Sequence, residues 1–204
     1  MTILENVKKA RESKKRNFNQ IFDLIVNLKE IDLKKTENKI DEHFILPKGT
    51  GKEASITIFS DSAKKVEGCK IIKGTEIEGL AKKKKGLKKV IRETDFFLSE
   101  PKLMPVVGKH LGKFLAPRGM MPKPVAGDIS KIIEGTKRSI KIKLDKQPII
   151  HTIVGSEKMD DKDIEENIKA LLAYLGKKLP RGKNNIKSVY LKTTMGHPVK
   201  IEVD

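Results

Sequence analysis

Residues 160–176, DDKDIEENIKALLAYLG, decide how the C-terminal end of the chain is built. Asp160 is a candidate N-cap, and Ile164, Ile168, Leu171, Leu172 and Leu175 recur at helical spacing until Gly176, placed to end the helix. Two strands follow, Ile186 to Lys192 and Val199 to Val203, so this end reads as α+β.

The other end has the same texture. Leu4 to Arg16 reads as a charged helix. Phe18 to Val26 then carries Phe18, Gln20, Phe22, Leu24 and Val26 on one face and apolar Ile21 and Ile25 on the other, as in a strand buried on parts of both faces. Phe44 to Leu46 and Ile56 to Phe59 make two more short strands, with the tight basic loop Pro47–Lys52 between them.

From Ser62 to about Leu144 short units alternate. A strand is predicted at Lys70 to Ile72, a helix near Glu76 to Lys85 and a strand at Asp95 to Leu98. Helices follow around Met104 to Phe114 and Ile129 to Thr136, then a strand at Ser139 to Leu144. Strands interleaved with helices suggest a small α/β layer with a parallel sheet. An economical arrangement joins the two ends, 1–61 and 150–204, into one domain with 62–149 inserted.

The chain has 204 residues, 35% of them charged, and a net charge of +17. Self-repulsion at that charge is relieved by a polyanion, so nucleic acid is the first partner class to consider. No apolar run approaches the ~20 residues needed to span a bilayer, and a basic amphipathic surface helix at the N-terminus is the remaining membrane reading. One cysteine, Cys69, excludes an intramolecular disulfide and fits a cytoplasmic protein. Residues 62–149 hold 22 basic and 9 acidic residues, +13, against 22 and 18, +4, for the rest. Charge alone would therefore put the main nucleic-acid contact in the middle.

Signs of catalysis are thin. His43, His110, His151 and His197 are scattered, with no helical histidine pair flanking a glutamate. Gly49-Thr50-Gly51-Lys52 lacks the flanking residues of a phosphate-binding loop, and no Gly-x-Ser-x-Gly occurs. Neither metal nor cofactor is expected.

Three segments stand out. Lys14-Lys15-Arg16-Asn17-Phe18-Asn19-Gln20 sets cations, amides and a ring at a helix-to-strand junction, as RNA contacts require. It equally reads as a solvated helix end before a core phenylalanine. Lys192-Thr193-Thr194-Met195-Gly196-His197-Pro198 offers hydroxyls for ribose, a flexible apolar contact and a glycine that admits close approach. An ordinary hairpin turn is its plain alternative. Leu115-Ala116-Pro117-Arg118-Gly119-Met120-Met121-Pro122-Lys123-Pro124 is a rigid loop that either presents fixed cations or packs one helix on another. Beside these, Lys82 to Lys85 with Lys88 and Lys89 would attract any phosphate backbone, and also suit a solvated helix face.

Taken together and in this order, these segments resemble the ribosomal protein L-one family. The proline-rich stretch is similar to its Gly-Pro-Arg-Gly-x-Met-Pro-Lys-Pro signature, Thr194-Met195-Gly196 to its C-terminal Thr-Met-Gly, and Arg16-Asn17-Phe18 to the archaeal branch. The likeness runs through essentially the whole chain. It departs at Ala116, where the family usually has glycine, and at His197-Pro198, where proline usually follows Thr-Met-Gly.

The resemblance implies a split α+β sandwich from both termini with an inserted Rossmann-like α/β domain. It implies a non-enzymatic constituent of the large subunit, monomeric when free, that binds ribosomal RNA at the mobile stalk beside the exit site. It also implies help in releasing deacylated transfer RNA and repression of translation through the protein's own messenger RNA. A non-ribosomal RNA chaperone is the alternative. On this reading specificity lies in the terminal domain despite its modest charge, because shape and hydroxyl contacts, not net charge, discriminate RNAs. Lys15 and Arg16 would meet phosphates, and Phe18 would pack on a ribose or base. Gln20, Ser188 and Thr194 would bond ribose or base groups, Met195 and Gly196 would lie against the RNA backbone, and His151 and Lys158 are further candidates.

Overall fold

The computed structural model describes residues 2–13, 16–52, 54–61, 68–125, 129–145 and 147–202. Two compact units emerge, Met1–Lys52 with Arg138–Asp204, and Glu53–Lys137.

In the split unit, helix α1 (Ile3–Glu12) starts at a capping box: Glu5 N–H donates to the Thr2 hydroxyl while the Glu5 carboxylate accepts from Thr2 N–H. Strand β1 (Ile21–Leu28) alternates strictly, with Phe22, Leu24, Val26 and Leu28 buried and the odd-numbered residues facing out. It lies centrally in an antiparallel sheet between β8 (Ile149–Ser156) and β9 (Ile186–Thr193), with β10 (Val199–Ile201) outside β9. Helix α6 (Asp161–Lys178) lays Ile164, Ile168, Leu171, Leu172 and Leu175 into the core with Val7 and Ala10 of α1. A ribbon of β2 (Ile40–Ile45) and β7 (Ser139–Leu144) adds Ile40, Ile140, Ile142 and Leu144.

Two polar side chains bind these layers. Arg11 on α1 donates to Asp161 Oδ1 at 2.8 Å and to the Glu157 and Met159 carbonyls, with its guanidinium 5.4 Å from the Phe22 ring centre. Asn167, fully buried, accepts from Lys48 N–H (3.1 Å) and donates to the Gly49 and Val154 carbonyls (2.9 Å each).

The inserted unit is a parallel sheet in the order β4-β3-β5-β6, with β3 (Ile56–Phe59), β4 (Cys69–Ile72), β5 (Phe96–Ser99) and β6 (Lys123–Pro124). Helices α2 (Gly74–Lys82), α3 (Lys84–Glu93), α4 (Met104–Leu115) and α5 (Ile129–Lys137) connect and follow the strands. One core cluster gathers Phe59, Ile77, Leu87 and Leu111, and another gathers Ile56, Ile58, Leu98 and Ile133. β3 is accordingly buried along its whole length. The α/β and α+β architecture expected from the sequence is present.

Several local expectations shift. β3 belongs to the inserted sheet, because it pairs with β4 and β5, and β7 belongs to the split unit, because it pairs with β2. The divisions therefore fall at 52/53 and 137/138 rather than 61/62 and 149/150. With them the charge imbalance disappears: the inserted unit has 18 basic and 10 acidic residues, +8, and the split unit 26 and 17, +9. The helix expected over 76–85 is two, broken at Lys83, whose φ of −88° and ψ of 76° leave helical geometry. Helix α6 continues past Gly176 to Lys178.

Candidate nucleic-acid interface

Because β1 runs antiparallel to both neighbours, its start meets the ends of β8 and β9. The register pairs Ile21 with Ser156 and Phe22 with Thr193. Phe18, Lys158 and Thr194–Gly196, far apart in sequence, thus gather at one end of the sheet. Phe18 and Met195 are large apolar side chains left 51% and 50% exposed there, with Arg16 and Lys158 also exposed. Lys15 lies outside the described residues.

Gln20 differs from its expected role. It is fully buried: its side-chain amide donates to Glu157 Oε1 (3.2 Å), and its oxygen accepts from Met195 N–H (3.1 Å). Glu157 also accepts from Gln20 N–H (3.0 Å). Gln20 therefore fixes the Met195 turn and does not reach a ligand. The reason is non-local, since the partners come from positions 157 and 195.

Thr194 is exposed, and its hydroxyl accepts from Ile21 N–H at 3.1 Å, continuing the ladder at the sheet's end. The same hydroxyl donates to the Ile21 carbonyl at 3.4 Å. Gly196 N–H closes the turn onto Thr193 O at 3.0 Å. A Cβ on Gly196 would collide with Thr193 Oγ1 and Ser13 Oγ, so the close approach this glycine permits is to the end of α1. His197 stands beyond the closed turn, so replacing the family's proline leaves the Met195 support intact.

The sheet's outward face continues from this end. His151, Ile25, Tyr190 and Lys200 form one row across the strands, and Ile153, Asp23 and Lys192 another. At the far end Asn27 donates to Ser188 Oγ at 3.0 Å. Phe22 and Asn27 lie five residues apart on β1, a span of about 17 Å. His151 and Ser188 are thus on the face rather than in the end cluster. Sequence reasoning missed Asp23, Ile25, Asn27, Tyr190 and Lys192. Their signal was the period-two alternation of β1 and β9, blurred because Ile21 and Ile25 are apolar on the open side.

Partial burial raises the Asp23 carboxyl pKa above its ordinary value, and the charges of His151 and Lys192 oppose that rise. A raised folded pKa means that Asp23 subtracts stability once ionised, and that this loss is relieved as pH falls through the folded value. A polyanion on the face would raise the pKa further, so binding would take up a proton and tighten toward acid pH. Asp23→Asn is expected to strengthen RNA binding at neutral pH by on the order of fivefold, about 1 kcal/mol, and to flatten the pH dependence in a filter-binding series. Unchanged affinity and an unchanged pH profile would show that no phosphate lies near it.

The inserted unit offers a different surface. α3 buries Leu87, Val90 and Ile91 and exposes Lys85, Lys88, Lys89 and Arg92. The proline-rich loop packs through Leu115, Pro122 and Val125, with Gly119 at φ +64°, and leaves Arg118, Met121 and Lys123 outward. Ala116 sits in right-handed helical geometry, φ −60°, where glycine is not required. At the strand ends where parallel sheets hold nucleotides, Asp61 Oδ1 accepts from Gly74 N–H at 2.8 Å and Glu100 accepts from the Ser60 hydroxyl. Two carboxylates at that mouth repel phosphate. Among the described residues no three metal-binding side chains gather, and no helix is long and apolar enough to cross a membrane.

A family model for the ribosomal protein L1p/L10e family matches residues 8–197. The chain is 44% identical to the large ribosomal subunit protein uL1 of Methanothermococcus thermolithotrophicus, over 98% of this chain and 97% of the other. It is 41% identical to that of Methanothermobacter thermautotrophicus over 98% of both, and 43% identical to that of Methanocaldococcus jannaschii over 98% and 94%.

Proposed function

Since the chain belongs to the ribosomal protein L1p/L10e family, we propose that its split unit holds large-subunit ribosomal RNA at the base of the mobile stalk, on the Phe18–Met195 end and the adjoining open sheet face. The observation that carries this is the pair of half-exposed apolar side chains, Phe18 and Met195, gathered from opposite chain ends. Met195 is held in place by a buried glutamine. A globular protein gains nothing by fixing such groups in water; RNA riboses and bases are surfaces that cover them. Thr194 and Ser188 supply hydroxyl contacts, Arg16, Lys15 and Lys158 phosphate contacts, and His151 a contact on the face. Gly196 shapes the turn.

A surface that recognises folded RNA by shape accepts any RNA reproducing that shape. The same face therefore binds a mimic in the protein's own messenger RNA and blocks its translation. The lysines of α3 add sequence-independent attraction, directed to ribosomal RNA or to deacylated transfer RNA leaving the exit site. The protein acts within the cytoplasmic ribosome as a structural constituent, not as an enzyme.

Met195→Ala removes about half of one apolar contact set. It should weaken binding to a stalk-base RNA fragment roughly tenfold to thirtyfold and leave the melting temperature unchanged, because the side chain is half in water. Calorimetry against that fragment and an unrelated folded RNA of equal length is the test. Equal affinities of wild type and variant for the stalk-base fragment would refute the assignment. Retention on large subunits through a high-salt wash distinguishes a ribosomal constituent from a free RNA chaperone.

A further inference from the structure

β9 is longer than its outer neighbour. Pairing with β10 ends at Ile201 opposite Val189, so the β9 edge from Ile186 to Ser188 is left uncovered by β10. At the same place a bulge interrupts the pairing with β1: Asn27 faces Ser188 and Leu28 faces Ile186, which leaves Lys187 as the extra residue. Bulges re-aim side chains and end ladders. A groove of about 250 Å³ opens here, walled by Lys187, Lys183 of the short turn Gly182–Asn185, Lys200 of β10 and Glu202, with Ile186 and Val189 also lining it. Three lysines and one glutamate line it, a net positive surface that favours an anion.

Ser188 belongs both to this groove and to the open face, and Lys200 shares a row with Tyr190 of that face. The exposed β9 edge is only three residues long, too short to add a peptide strand in register, which favours a nucleic-acid backbone over an acidic peptide. We infer that this groove is a phosphodiester subsite, through which bound RNA continues off the open sheet face and over the β10 edge. The inference rests on the RNA-face reading above.

The test uses the full-length chain carrying Lys187→Gln and Lys200→Gln together, with the stalk-base RNA fragment titrated over a series of KCl concentrations. Both lysines are exposed, so the melting temperature should hold. The plot of log affinity against log salt should flatten by about 1.4 to 1.8, as two lost phosphate contacts require, with affinity down about tenfold near 0.1 M salt. The preference over an unrelated RNA should be kept. An unchanged slope overturns the inference. Met195→Ala, run in parallel, separates the two readings. If it weakens binding while the lysine pair leaves the slope untouched, the groove alone fails; if it binds normally while the slope drops, the Phe18–Met195 reading fails and the groove is kept only as a phosphate contact, not as a continuation of that face. Inorganic phosphate at constant ionic strength distinguishes the sources of anion. A saturable amide shift at Lys187 with phosphate alone, not displaced by RNA, would assign the groove to a free anion and overturn the RNA assignment.

Discussion

A Gly196→Ala chain is expected to bind the stalk-base RNA more than about a hundredfold more weakly, roughly 3 kcal/mol, a larger loss than deleting the entire Met195 side chain beyond Cβ. The added methyl has no room: Thr193 Oγ1 and Ser13 Oγ occupy its position. Thr193 is buried at the end of β9 and Ser13 caps α1, so neither can retreat without disturbing the sheet or the helix. The turn must yield instead. Its shift breaks the Met195 N–H bond to Gln20 and carries Thr194, which meets Ile21 N–H, along with it. One methyl thereby displaces two contact residues and their support. The accompanying loss of stability is about 1–3 kcal/mol, the usual cost of overpacking, and thermal melting should register it while far-UV circular dichroism stays native. Gly196→Ala with full affinity would mean that the turn adapts freely and that its geometry plays no part in recognition.

The sheet's end cluster was legible in outline. Phe18, Thr194 and Met195 attract notice as a ring, a hydroxyl and a flexible apolar group in segments of unusual composition. What local sequence could not show is which of their neighbours support and which touch. Gln20 looks like a contact residue because an amide beside a ring and cations fits RNA, yet its partners arrive from positions 157 and 195. Local reading also passes over β8, whose β-branched Ile149, Ile150, Thr152, Ile153 and Val154 favour a strand and whose partner β1 lies more than a hundred residues earlier.

The same cause explains the displaced domain limits. Ser139 to Leu144 was recognisable as a strand, but its position next to α/β elements suggested the wrong sheet. Only its pairing with β2 returns it to the split unit. The chain's charge distribution then means something different. The imbalance that pointed to the middle depended on counting Arg138 to Ile149 there and leaving out Glu53 and Asp61, and with the two units nearly equal in charge no electrostatic argument favours one over the other. The proposed reading assigns specificity to the shaped, partly apolar end, in line with the rule that phosphate contacts position and other contacts select.

Asn167→Ala should cost about 3 kcal/mol of stability. Asn167 stands on the face of α6 that carries Ile164, Ile168 and Leu171, a polar residue on an apolar stripe. That is the sequence signal by which it could have been found. Its removal strands Lys48 N–H and the Gly49 and Val154 carbonyls. Asn167→Asp provides the sharper test. One oxygen still accepts from Lys48 N–H, but the other, ionised and buried, now faces two carbonyl oxygens. Burial and those carbonyls would raise the folded carboxyl above its unfolded value of about 3.9. The folded chain then keeps a proton that the unfolded chain has released, so stability falls as pH rises from that unfolded value through the raised folded one. Urea melts of Asn167→Asp should accordingly show greater stability near pH 4 than near pH 7 relative to wild type, whereas Asn167→Ala shows the same deficit at both. A deficit independent of pH in the aspartate variant would mean that water or a shifted α6 satisfies the carbonyls, and that Asn167 merely fills space. The distinction bears on the proposed function through β8: the Val154 carbonyl that Asn167 holds lies on the strand that presents His151 and Ile153 to the open face, so what anchors that strand to α6 also sets how flat the proposed RNA surface is.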